Sequence, residues 1–99
     1  MEPAASKPPP SAADIKRYRQ NYQGEIDGVE LYRRLARAEK DPERAQIFLE
    51  LAETETRHVQ VWADRLRDAG VSVGSPKPTM RIRALGFFAD RLGTRAVLP

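Results

Sequence analysis

The chain has 99 residues, 40% of them hydrophobic and 31% charged, with no cysteine and one histidine, His58. That length suits a single small domain, and the lack of cysteine excludes disulfides, thiolate zinc sites, iron–sulfur clusters and cysteine nucleophiles. The net charge of +3 is unevenly placed, with five Lys/Arg against one Asp in residues 77–95 and an excess of −1 in residues 1–76, so a general nucleic-acid-binding domain is excluded.

No apolar run approaches the roughly 20 residues needed to cross a bilayer, and the first residues hold no hydrophobic signal core. The sequence therefore reads as soluble and cytoplasmic, either free or as the cytosolic domain of a membrane protein. Residues 1–13, with Pro3, Pro8, Pro9 and Pro10 among Ala and Ser, read as a disordered leader with little to bury.

From a cap at Ser11 or Asp14, the periodicity predicts a helix to about Lys40. Ile15, Tyr18, Tyr22, Glu25, Val29, Tyr32 and Ala36 follow alternating three- and four-residue steps, the spacing of a bundle seam. Gly24 and Gly28 each cost about 1 kcal/mol of helix propensity relative to Ala, which points to a close helix approach beside Glu25. Asp41-Pro42 stops that helix and opens the next. The second runs to about Ala69, with Gly70 as its stop. Its seam reads Ala45, Phe48, Leu51 or Ala52, Glu55, His58 or Val59, Trp62, Leu66 and Ala69. Residues 14–70 thus form an antiparallel hairpin. Residues 71–79, with Gly74, Pro76 and Pro78, are a linker. Residues 80–99 form a third, basic amphipathic helix, expected either to pack on its own hairpin or a partner, or to lie beside a membrane surface or membrane domain.

Two glutamates occupy positions where a seam expects apolar residues. Glu55 and His58 sit three apart, on one helix face, where both can reach one metal ion. Glu25 lies about as far before the turn as Glu55 lies after it, so all three side chains can converge. A carboxylate in an apolar seam is costly unless paired or metal-bound, so Glu25, Glu55 and His58 are the candidate metal ligands. Tyr32, one heptad from Glu25, is either core or a hydrogen-bond donor to a ligating carboxylate. Glu30, able to pair with Arg33 or Arg34, and Glu50 and Glu53 read as solvated. Trp62 reads as a packing residue that keeps water out. Oxygen-rich ligation with one imidazole per metal suits iron, manganese or zinc. Three ligands per chain do not complete a two-metal site, whereas two hairpins supply four glutamates and two histidines, the constellation of a carboxylate-bridged four-helix bundle. Metal binding and homodimerisation, or a higher even assembly, are therefore expected together. The competing reading is a metal-free helical interaction module.

At these residues the sequence resembles the ferritin-like superfamily in its rubrerythrin-type branch. Glu25-x6-Tyr32 matches the motif of that branch's first helix, and Glu55-x-x-His58, in the run from Ile47 to His58, matches its second. The resemblance covers roughly Tyr18 to Val71. It implies an all-α fold in which two hairpins make a four-helix bundle around two irons per dimer, binding Fe(II) and oxidising it with oxygen. It also implies Tyr32 as a supporting residue and a role in iron transport or storage. Full-length members carry two copies of the motif set, so this chain resembles a half-ferritin, and it lacks the cysteine-bearing rubredoxin module. Two kinds of half-domain are similar to it: one fused ahead of a vacuolar-iron-transporter-type membrane domain, which the basic tail favours, and the encapsulated ferritins.

Overall fold

The computed structural model describes residues 8–98. Three α-helices and one short turn follow in order: α1 (Ala12–Ala38), α2 (Pro42–Asp68), α3 (Met80–Leu92) and a 3-10 turn at Thr94–Ala96. Among the described residues there is no strand, and none of the helices is long and apolar enough to cross a membrane.

Residues 1–7 of the expected leader, and Pro99, lie outside the described residues. The first helix starts at Ala12 because Ser11 makes a capping box: its hydroxyl accepts from the Asp14 N–H and the Asp14 carboxylate accepts from the Ser11 N–H, both at 3.0 Å. The break between α1 and α2 is local chemistry too. The Asp41 side chain accepts from the Glu43 N–H at 3.1 Å and Pro42 occupies the first turn. At the far end Gly70, at φ 75°, lets the chain turn while the Val71 N–H closes on the Leu66 carbonyl at 2.9 Å.

The third helix ends at Leu92, short of the chain end that its amphipathic pattern suggests, because Gly93 takes φ 90°. It packs on α1 and is pinned at both ends. Asp27 accepts from the Thr79 N–H and hydroxyl, each at 2.9 Å, at the electropositive start of α3. Beyond α3, the buried Thr94 hydroxyl donates to Glu39 at 2.7 Å, and the Arg44 guanidinium donates to the same oxygen at 2.8 Å. Those two donors hold the Glu39 carboxyl down at about 2, the Arg44 bond being the larger cause.

The core is small. Leu35, Phe48 and Ala89 meet where the three helices come together, and Ala52, Ala63, Leu66 and Ile82 are buried elsewhere along the helices. The molecule measures 58 × 26 × 23 Å with a radius of gyration of 17.0 Å, well above the ~13 Å of a globular chain this long. A hairpin with one extra helix on α1 leaves much of α2 facing outward: Ile47, Leu51 and Val61 are 53%, 37% and 48% exposed.

Candidate metal centre

The antiparallel pairing of α1 and α2 brings Glu25, Glu55 and His58 to one point. A ligand atom from each lies within 4.8 Å of the other two. The His58 Nδ1 faces Glu25 Oε2 at 3.4 Å and Glu55 Oε1 at 3.9 Å. The two carboxyls are mostly shielded, at 22% and 24% exposure, while the imidazole is half exposed at 50%. The site is therefore walled on the hairpin side and open on the other.

Its electrostatics are unfavourable as they stand. The Glu55 carboxyl is pushed up to about 7, first by a hydrogen bond with Glu25 that requires one of the two to keep its proton, then by desolvation and by the negative charge of Glu25; His58 opposes the shift. A cation placed among these oxygens replaces the proton and removes the repulsion. That is the physical sense in which this donor set fits a metal.

One glycine makes the closeness feasible. A Cβ on Gly28 would stand 2.8 Å from Glu55 Oε2, inside contact distance, so α2 delivers its carboxylate against bare α1 backbone. The expectation of close approach holds at Gly28. At Gly24 it does not, since nothing lies within 4 Å of a Cβ there.

Aromatic groups flank the candidate ligands along the hairpin. Tyr32 stacks on Phe48, with ring centroids 6.5 Å apart and planes 20° apart, and it borders the buried cluster. Among the described residues no hydrogen bond joins its hydroxyl to either carboxylate. On the other side Trp62 tilts against Tyr18 at 5.7 Å, under the Arg65 guanidinium at 4.8 Å. Of the other acids, Glu30 pairs with Arg34 at 2.8 Å, and Glu50 and Glu53 are exposed.

The structure resolves which seam positions point inward. Ala52 and Val59 pack toward α1, whereas Leu51 and His58 lie outside. The outward residues form a stripe of their own: Ile47, Leu51, Thr54, His58, Val61 and Arg65, again in alternating four- and three-residue steps. This second seam runs through a candidate ligand, and sequence reasoning missed it. Its signal was the same periodicity displaced by one residue.

The family model described as Rubrerythrin matches residues 19–97, which takes in both long helices, the linker and α3. No curated protein and no solved structure is significantly similar to the chain.

Proposed function

This chain belongs to the rubrerythrin family, and on that premise we propose that Glu25, Glu55 and His58 hold iron in a two-metal site completed by a second copy of the chain. One observation carries the reading: two carboxyls and an imidazole converge within 4.8 Å on the edge of an exposed apolar stripe. Each protomer would contribute two glutamates and one histidine, the ligand set of carboxylate-bridged bundles. Pairing two copies along Ile47, Leu51, His58 and Val61 would bury apolar surface that the lone chain leaves in water.

In this reading the residues have distinct parts. Glu25 and Glu55 share a proton until the metal displaces it, so uptake releases a proton and strengthens as pH rises through about 7. His58 supplies the neutral nitrogen donor through Nδ1. Gly28 keeps room for the Glu55 carboxylate. Tyr32 supports the ligands from one heptad away, its stacking on Phe48 holding α1 against α2. Bound iron supplies a one-electron couple. Fe(II) held in this way would be gathered for transport or storage and oxidised by dioxygen, with a transporter-type membrane domain as the destination that the basic C-terminal segment favours.

The deciding experiment is an anaerobic Fe(II) titration with the mass in solution followed alongside. The expected result is about one iron per chain in a dimer or higher even assembly, with oxygen consumed on exposure to air. Glu25→Ala should abolish stoichiometric binding and keep the helix content. Binding that survives this substitution, or a monomer that binds iron tightly, would sink the shared-site reading.

A further inference from the structure

The outward side of α3 has an unusual composition. Met80, Phe87, Phe88 and Leu92 are 77%, 52%, 49% and 69% exposed, and Arg81, Arg83 and Arg91 lie exposed among them. The Arg91 guanidinium sits 5.2 Å above the Phe87 ring, so charge and aromatic surface share one patch. The single acid of this helix, Asp90, reaches toward Arg34 of α1 at 3.9 Å, which keeps its charge at the helix–helix boundary.

This face is held outward by the packing on its back. Ile82 and Ala89 are buried, and Gly86 lies directly against the Arg34 side chain, where a Cβ would overlap it. With Thr79 tied to Asp27 and Thr94 to Glu39, the helix is fixed in orientation at both ends. Rotation cannot hide the apolar groups.

We propose that this face is a docking surface for an anionic lipid bilayer. A short helix presenting Phe, Met and Leu with interspersed arginines matches the chemistry of the headgroup–acyl boundary, where apolar groups insert and cations meet lipid phosphates. A second copy of the chain is a poor occupant, because a two-fold contact would gather the three exposed arginines of each copy against a single exposed acid from each, Asp90. Docking would leave the candidate metal centre clear. Arg34, on the α3 side of α1, is nine residues from Glu25, which is about half a turn around the helix at 3.6 residues per turn. The surface stands independently of whether iron binds.

The test is flotation of the protein, with chelator present, on vesicles of equimolar phosphatidylglycerol and phosphatidylcholine and on vesicles of phosphatidylcholine alone. Association with the anionic vesicles that weakens as salt rises is expected. Replacing Arg81, Arg83 and Arg91 by Ser should weaken it about fivefold per residue. Phe87→Ser with Phe88→Ser should weaken it about tenfold or more, with helix content by circular dichroism unchanged because both rings are half exposed. Absence of binding to anionic vesicles overturns the proposal, as does equal binding to neutral ones or wild-type binding by the variants. A fall in solution mass caused by the phenylalanine substitutions also overturns it, by making the face a contact between copies.

Discussion

Glu55→Gln separates a functional carboxylate from a structural one. The amide keeps the shape of the side chain and removes its charge. In the metal-free protein the Glu55 carboxyl has moved from 4.5 to about 7, so ionising it in the fold costs up to ~3 kcal/mol more than in the unfolded chain. About a quarter of the side chain meets solvent, and screening reduces the realised cost to about 1–2 kcal/mol. The sign follows from the direction of the shift. A carboxyl raised in the folded state contributes most below its unfolded value, and that contribution is lost as pH rises through about 7. With chelator present, Glu55→Gln should match wild type near pH 4.5 and exceed it at pH 8 by roughly 5–12 °C in Tm, at equal protein concentration. Saturating Fe(II) should invert the order, since a ligand at 100 times its Kd adds about 2.7 kcal/mol to wild type alone. Thermal scans at the two pH values, with and without metal, read all four states. A variant no more stable than wild type at pH 8 without metal would refute the opposed-carboxylate argument, and a variant stabilised by Fe(II) as much as wild type would remove Glu55 from the site.

Gly28→Ala should displace the Glu55 carboxylate, because the new Cβ would stand 2.8 Å from its Oε2, and weaken Fe(II) binding about 10- to 100-fold by analogy with losses of supporting contacts at metal sites. Gly24→Ala, in open space, should instead raise stability by up to ~1 kcal/mol and leave the Fe(II) titration unchanged. Leu51→Glu with Val61→Glu, at positions already 37% and 48% exposed, should reduce the assembly to monomers by light scattering and abolish tight Fe(II) binding with it; a monomer that still binds iron at one per chain contradicts the shared site. Gly86→Ala should push the Arg34 guanidinium aside and break its pairs with Glu30 and Asp90, which a thermal scan would read as a small fall in Tm.

The hairpin and the convergence of Glu25, Glu55 and His58 were legible in the sequence because both rest on short-range regularities. Capping groups at Ser11 and Asp41, the proline at 42 and the glycine at 70 mark the ends, and the seam spacing puts Glu25 opposite Glu55. What escaped was long-range or ambiguous by one residue. Asp27 with Thr79 and Glu39 with Thr94 join residues 52 and 55 apart, and no local pattern announces such bonds. Leu51 against Ala52 and His58 against Val59 differ by one helix position, about 100° of rotation, and only packing decides which of each pair turns inward. The smaller or β-branched member went in, and the Leu and His went out. Gly28 showed in the sequence as an unexplained cost, and Gly24 beside it looked the same although only one of them faces a carboxylate.

The division of α2 into two seams also bears on why metal and assembly should act together. The inner seam, through Phe48, Ala52, Val59, Ala63 and Leu66, is consumed by the hairpin. The outer seam, through Ile47, Leu51, His58 and Val61, is left exposed by the described residues. Glu55 lies between them and His58 lies on the outer one, so the candidate ligand cluster sits at the junction of an interior that is already formed and a contact that a second copy would form. Without metal, a paired copy would bring two more carboxylates toward a site where two already share a proton, and that repulsion opposes the apolar gain of closing the outer seam. With a cation present the same carboxylates would become the contacts that draw the copies together. Whatever lowers the negative charge at this junction, whether metal, a proton or the Gln at position 55, should therefore favour the closed assembly, and only metal should do so at pH 8 in the wild-type chain.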